Sequence, residues 1–485
     1  MVYLKSLAGQ SWLIPPSVEE LIPSDHVCFF IGDFVDAMDF SAFDNQYAGA
    51  GHPAYHPRVI LKILVMGLLD RIRSSRRLAR NARENVVYMY LAEKMTPDFR
   101  TISDFRKDNP SLFKEIFKQT VVFAQQHELL DLSVLSTDGT IVKACASGKH
   151  VLNKTELGIL NRFIDQEFEE WDQVDAEEDK LFGDRRGSDQ ISNGSRQRIL
   201  KAIREYVKKS KDQGEPFKKE IRNKLERAQK EVENHNLKSI NLTDMDCRIM
   251  KNKKGNFESS YNAQLTVDRN GFILANDVCQ DSNDRKQVEP QVQQVQENLV
   301  TIPKGIAWCF DNGYHSNDNI AFLDNKGIDS YIPNAELAQR QKGKKPKISY
   351  LSTLKYDEQK DTFITQDNKT FIYQCKYFNK EKKKIKHIYV LYENNKITKS
   401  IEVYPNDKHQ RQMAAKMQTP QARHTYKIRS KTVEPVIGDI KENKNFRTFI
   451  TRGIQKVKAE LNFLCIARNI QSLQKRAMIQ TETLA

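Results

Sequence analysis

Two short apolar runs constrain this chain more than any other feature, because each ends in an aspartate followed by a turn. LLDLSVLSTDGT carries Asp138-Gly139, and GIAWCFDNG carries Asp311-Asn312-Gly313. Apolar runs of this length, bounded by turn signals, read as buried strands, and here each delivers its Asp at the C-terminal end. SSYNAQLTVDRNGFILANDVC adds a hairpin that turns at Arg269-Asn270-Gly271. A helix is expected over 285–298, and SYIPN (Ser330 to Asn334) reads as a short edge strand. The expectation is an α/β domain built on a mixed sheet with helices.

The sequence before it is helical in pattern. VILKILVMGLLDRI (Val59 to Ile72) is apolar at helical spacing and too long for a strand. Helix is expected to continue from Arg77 to Ala92. In TPDFRTISDFRKDNP, Thr101 could cap a further turn, with Asp104 completing an imperfect capping box. A helix over about 111–126 leads into the first strand. The N-terminal part therefore reads as all-α.

Two stretches interrupt the sheet pattern. From about Ser147 to Asn241 charge is dense, and Gly187 and Gly194 mark a loop. Ile199, Ile203, Tyr206 and Val207 form one helical stripe, QGEP (Gln213 to Pro216) breaks it, and Ile221, Leu225, Ala228 and Val232 form a second. This reads as an inserted helical hairpin. From Lys342 to about Pro405, FITQDNKTFIYQCKYF and KHIYVLYENN alternate apolar and polar residues, which is β-rich. The basic runs KGKKPK and KEKKKIK flank those strands. Helix returns near Tyr426 and continues with breaks to Arg476.

Length and charge bound the function class. The 485 residues allow about two to four domains. No apolar run reaches the roughly 18 residues needed to span a bilayer, and MVYLKSLAGQSWLIPP lacks a signal-peptide core. The expectation is a soluble cytoplasmic protein without a membrane partner. Seven separate cysteines with no CxxC argue against a disulfide framework or zinc ribbon. The net charge of +14 points to a polyanionic partner, nucleic acid above all. The excess is concentrated, since Pro57 to Lys107 holds twelve Lys or Arg against five Asp or Glu. Arg73, Arg76, Arg77, Arg80 and Arg83 crowd one short helical region and are expected to bind DNA.

Two strands ending in Asp, with a Glu on a late helix, suit one chemistry. Two-metal phosphoryl transfer needs a few carboxylates held rigidly around hard divalent cations. Asp138 and Asp311 are the strand candidates. The chain holds 63 acidic residues, so three carboxylates alone decide nothing. A strand-end Asp also caps a turn with the following Gly139 or Asn312, and Asp131, Asp281 and Asp284 stand nearby as competitors.

TVEPVIGDIKENKNFRTFITRGIQKVKAELNFLCIARNI resembles the C-terminal signature of bacterial insertion-sequence DDE transposases of the IS1182 type. Tyr426, Arg429, Glu434 and Lys441 are similar to the Tyr–Arg–Glu–Lys signature of the wider IS4-like group. Four residues separate Arg429 from Glu434, where the wider pattern has three. YHPRVILKILVMGLLDRIRSSRRLARNARENVVYMYLAEKMTPDFRTISDFRK resembles the family's helical N-terminal domain. STDGTIVKACAS and FDNGYHS are similar to the segments around its first and second catalytic Asp. DMDCRIMKNKKGNFESSYNAQLTVD resembles the segment on its second and third strands.

The resemblance implies an RNase H-like catalytic domain over 127–485, preceded by a helical DNA-binding domain over 1–126. The helical insertion would span 147–241 and the β-rich insertion 342–405. It implies Asp138, Asp311 and Glu434 as catalytic metal ligands, separated by 173 and 123 residues. Tyr426, Arg429 and Lys441 would grip phosphates, although a surface ion pair, for example Arg429 with Asp439, is the plainer alternative. Pro435 disfavours α geometry at Glu434, so the helix should start or bend there. Mg²⁺ is the expected ion, with Mn²⁺ able to substitute. Zinc is not expected, because Cys375 stands alone where relatives carry paired cysteines. The implied partners are double-stranded terminal inverted repeats and target DNA, with a homodimer as one form of the synaptic complex. The alternatives are a metal-dependent nuclease without strand transfer and a domesticated DNA-binding protein without catalysis.

Overall fold

The computed structural model describes residues 16–44, 54–165, 219–252, 255–300, 305–341, 354–357, 359–379, 384–393, 396–403 and 407–484, with isolated positions between them. The first insertion's Ile199–Val207 stripe and its QGEP breaker lie outside the described residues, as does the KGKKPK run.

Helices Val27–Asp36, Pro57–Leu69, Ser75–Glu84, Val86–Leu91, Phe99–Asp108 and Pro110–Gln126 form the N-terminal part. Pro57 sits in the first turn of its helix, where its missing N–H costs nothing, and His56 caps that helix by accepting from the Arg58 amide at 3.2 Å. Apolar residues surround this helix on all sides, so it is buried throughout most of its length. Even Lys62 is buried there, with its ammonium 2.7 Å from Asp36 and 3.1 Å from Glu93. The run expected from Arg77 to Ala92 is two helices. Asn85 leaves α geometry and caps the second one by accepting from the Val87 amide. The cap of the Phe99–Asp108 helix is Asp98, which accepts from the Arg100 and Thr101 amides at 2.6 and 2.9 Å, and not Thr101.

The described strands form three sheets. They are β1 (Val134–Lys143), β2 (Val151–Asn153), β3 (Ser239–Asn241), β4 (Arg248–Lys251), β5 (Phe257–Val267), β6 (Ile273–Cys279), β7 (Ala307–Phe310), β8 (Asp329–Tyr331), β9 (Lys355–Asp357), β10 (Thr362–Ile364), β11 (Thr370–Asn379), β12 (Lys384–Glu393) and β13 (Lys396–Val403). The largest sheet runs β4-β5-β1-β7-β8, with β6 also paired to β5. In it β5 is antiparallel to β1, while β7 and β8 are parallel to β1 and to each other in turn. Together with the many helices, this makes a mixed α/β protein.

Strand β5 alternates apolar and polar residues yet is buried on both faces. Tyr261, Ala263, Leu265 and Val267 line one face; Ser260, Asn262, Gln264 and Thr266 line the other. Much of the polar face is paired internally, although the Ser260 hydroxyl is buried without a partner among the described residues. Trp308 Nε1 donates to Thr137 Oγ1 at 2.8 Å, Thr137 and Thr266 share a hydroxyl contact at 2.8 Å, and Thr266 donates to Gln291 on the Val288–Asn298 helix. The hairpin turns as expected, with Gly271 at φ +77°, a conformation that glycine adopts without a Cβ penalty.

One hydrophobic core runs from the N-terminal helices through this sheet into the Ile454–Leu484 helix. Phe113 and Phe463 pack at 5.6 Å between ring centres. Asn469, fully buried, donates to Thr120 Oγ1 and the Ile273 carbonyl and accepts from the Ile273 amide. Two smaller cores stand apart. One gathers Leu152, Leu157, Leu160, Leu225, Val232 and Ile240 around the paired β2 and β3. The other lies on the antiparallel sheet β13-β12-β11-β10-β9, around Phe363, Phe371 and Tyr389. No helix among the described residues is long and apolar enough to cross a membrane.

Candidate active site

Asp138 does not end its strand. β1 continues to Lys143, paired with β5 throughout, and only its parallel pairing with β7 stops at Thr137 opposite Phe310. Asp138 therefore stands just where β7 runs out, and Asp311 follows β7 directly. Asp138 Oδ1 accepts from the Gly139 amide at 2.9 Å, and Asp311 accepts from the Asn312 amide.

The third element is the Pro420–Gly438 helix, which packs across β1; Thr432 donates to Ser136 Oγ at 2.9 Å, both side chains buried. Pro435 lies inside this helix and does not start it, so Glu434 is not a helix-start residue. A π-helical turn over Asp439–Asn443 follows.

Arg429, on that helix, draws the three carboxylates together. Its Nη2 lies 2.8 Å from Asp138 and 3.9 Å from Asp311, and its Nη1 lies 3.1 Å from Glu434. The expected alternative, a pair with Asp439, does not form; Asp439 pairs with Arg468 at 2.9 Å. Exposure grades outward: the side chains of Asp138, Asp311 and Glu434 are 17%, 48% and 54% exposed. Burial pushes the Asp138 carboxyl up to about 6, against the pull of Arg429 and with the help of Asp311. For Arg429, burial works against the charged form, but Asp138, Tyr426, Asp311 and Glu434 more than reverse this and hold the guanidinium protonated. Tyr426 is half-buried beside them, and burial pushes its phenol up. Lys441 donates to the Ile141 carbonyl on β1 at 3.0 Å.

The arginine cluster divides. Arg76, Arg77, Arg80 and Arg83 lie exposed on the Ser75–Glu84 helix, opposite buried Leu78, Ala79 and Ala82. Arg73 is turned inward, which corrects its assignment to a DNA-facing set. It precedes the helix, stacks over Phe446 at 4.5 Å, bonds the Thr448 carbonyl and pairs with buried Glu460 at 2.6 Å.

Two family models match the chain. One, described as a transposase domain (DUF772), matches residues 16–108, and the other, a transposase DDE domain, matches 341–474. The two matches together support an insertion-sequence DDE transposase. The pairing of the two models fits the IS1182 type. The transposase match over 341–474 contains Tyr426, Arg429, Glu434 and Lys441, while Asp138 and Asp311 lie between the matched stretches. No curated protein matches the transposase. DDE transposases depend on divalent metal. Among the described residues of this transposase no three acidic, His or Cys side chains stand close enough to share one ion; Arg429 lies between the three carboxylates. Sequence reasoning set Asp284 aside, yet its carboxylate lies against Gly139 and Gly313, the glycines that follow the two aspartates.

Proposed function

We propose that this transposase binds the terminal inverted repeats of its element, cuts the DNA and joins the freed 3′-hydroxyl to target DNA, with Asp138, Asp311 and Glu434 as its metal ligands. One observation carries the assignment: carboxylates from β1, from the end of β7 and from the Pro420–Gly438 helix share a single guanidinium. Three hard oxygen donors that already converge on positive charge suit Mg²⁺ or Mn²⁺. When bound, the metal supplies positive charge to the attacking and leaving oxygens of the phosphodiester.

The chain's own residues hold the reactants. One oxygen each of Asp138 and Asp311 is fixed by the amide that follows it, which aims the other oxygen toward Arg429. Arg429, with Tyr426 and Lys441, is assigned to the phosphate under attack, where it neutralises charge without reading sequence. Water attacks phosphorus, the bond to the 3′-oxygen breaks, and a 3′-hydroxyl and a 5′-phosphate result. That hydroxyl then attacks a target phosphodiester, forming a new 3′-oxygen–phosphorus bond as the bond to the target's own 3′-oxygen breaks and leaves a target 3′-hydroxyl. The order β6-β5-β1-β7-β8 supports an RNase H-like reading of the sheet. Incubating DNA carrying the native ends with the protein and Mg²⁺ tests the proposal. Cleavage at the ends with joined products is expected; cleavage without joining would make the protein a nuclease.

The exposed Arg76, Arg77, Arg80 and Arg83 supply a DNA-facing surface. Replacing all four by Ala in the full chain is expected to weaken DNA binding and to reduce its salt slope by up to about 0.9 for each phosphate that is no longer neutralised. Binding titrations from low to high salt check this; an unchanged slope removes the helix from the DNA interface.

We assign residues 1–126 to a helical DNA-binding domain and 127–485 to the catalytic domain, interrupted over 147–241 and 342–405. The separate core around β2 and β3 supports the first boundary. Replacing 147–241 by a short linker is expected to leave Mn²⁺ binding intact. Calorimetry on the folded variant checks it, and absence of binding would place part of the site's support inside the insertion.

A further inference from the structure

Asp284 lies in the loop between β6 and the Val288–Asn298 helix, behind the strand that carries Asp138. Gly139 pairs with Gln264 across β1 and β5, so it faces the side opposite to Asp138. On that side Asp284 Oδ1 accepts from Asn262 at 2.8 Å and from Gln264 at 2.6 Å. A Cβ on Gly139 would collide with Asp284 and with Gln264. A Cβ on Gly313 would lie 2.9 Å from Asp284 Oδ2, and its three nearest neighbours would all be Asp284 atoms. The carboxylate is therefore wedged against both glycines, one directly after Asp138 and one two residues after Asp311.

The same network reaches the turn beyond β7. Gln264 accepts from the hydroxyl of Tyr314, which is fully buried in the Asn312–Tyr314 turn. Asn319 donates to both the Arg285 and the Tyr314 carbonyls at 2.7 Å, which ties the Asp284 loop to that turn. The middle of β1 beside Asp138 and the turn that follows Asp311 are thus registered against one side chain.

We propose that Asp284 is a positioning residue that fixes the separation of Asp138 and Asp311 for metal binding. The inference rests on the assignment of those two residues as metal ligands. Residues that orient metal ligands from behind typically change metal affinity 10- to 100-fold when removed.

The test measures Mn²⁺ affinity of the full chain by electron paramagnetic resonance, beside a thermal melt. Asp284→Ala is expected to weaken Mn²⁺ binding by about 10- to 100-fold in a folded protein. Asp284→Asn keeps the accepting oxygen and the shape, so it should bind near the wild-type value. Gly313→Ala should weaken binding alone, but add nothing to Asp284→Ala, because the added methyl then meets no carboxylate. Wild-type affinity in Asp284→Ala, or Asp284→Asn as weak as Asp284→Ala, overturns the inference. Where Asp284→Ala fails to fold, Gly313→Ala decides alone: folded and weakened supports it, full affinity overturns it. Asp138→Asn is the control. If it abolishes binding while the Asp284 and Gly313 variants do not weaken it, only this inference fails. Binding that ignores Asp138→Asn removes the metal site and this inference with it.

Discussion

Asp138→Asn, Asp311→Asn and Glu434→Gln are each expected to abolish DNA cleavage and strand transfer. Each change keeps the side chain's shape and removes the charge that a divalent cation needs from its ligand. Each also frees Arg429 from one of its three partners. DNA binding should survive or tighten, because less negative charge faces the phosphates. Neighbouring acids should behave differently. Asp131 holds Ser133 and lies 3.9 Å from Arg269, and Glu442 pairs with exposed Arg447, so Asp131→Asn and Glu442→Gln should retain at least partial activity. Cleavage of end-containing DNA with Mg²⁺, beside a gel shift on the same DNA, reads both effects. Near-normal cleavage by any one of the three removes that residue from the site. Inactivity of Glu442→Gln or Asp439→Asn, with Glu434→Gln active, would move only the third ligand.

The second large effect is on stability. Glu460 is 3% exposed and accepts from the Ile450 and Thr451 amides, the Thr451 hydroxyl and Arg73. Arg73 in turn reaches the Asn445 and Thr448 carbonyls, and buried Arg106 donates to the Arg73 carbonyl. Glu460→Ala removes the counter-charge of the Arg73 guanidinium and the acceptor of two amides. Removing one partner of such a pair costs about 3–5 kcal/mol. Arg73→Ala should also destabilise and leave DNA affinity nearly unchanged, opposite to the exposed arginines on the following helix. Denaturant unfolding followed by circular dichroism measures the destabilisation. An unchanged midpoint in Glu460→Ala would falsify this account of the joint.

Much of the fold was legible because periodicity reports burial directly. The Pro57–Leu69 helix, the β5–β6 hairpin, the short β8 and the aromatic strands β10–β12 all follow from apolar spacing. Helix breaks were less legible where the signal is one polar residue: Asn85 splits an apparent single helix, and Asp98 displaces Thr101 as a cap. The length of β1 was hidden by Asp138-Gly139, which reads as a turn. That glycine is required by Asp284 packed against it, 145 residues away in sequence. Five arginines in one stretch look alike in sequence, and only the partner near the far end of the chain turns Arg73 inward. Pro435 suggested a helix boundary, yet the packing of Thr432, Val433 and Val436 on the sheet carries the helix through it.

The Ile454–Leu484 helix packs on the Pro57–Leu69 and Pro110–Gln126 helices, with Phe463 on Phe113 and Asn469 on Thr120. During translation the N-terminal helices leave the ribosome several hundred residues before the segment that completes their core. A message cut short after the arginine-bearing helix therefore yields a polypeptide whose Pro57–Leu69 helix has lost the partner that covers it. Such a product exposes apolar surface that the full chain buries, which makes it prone to aggregation.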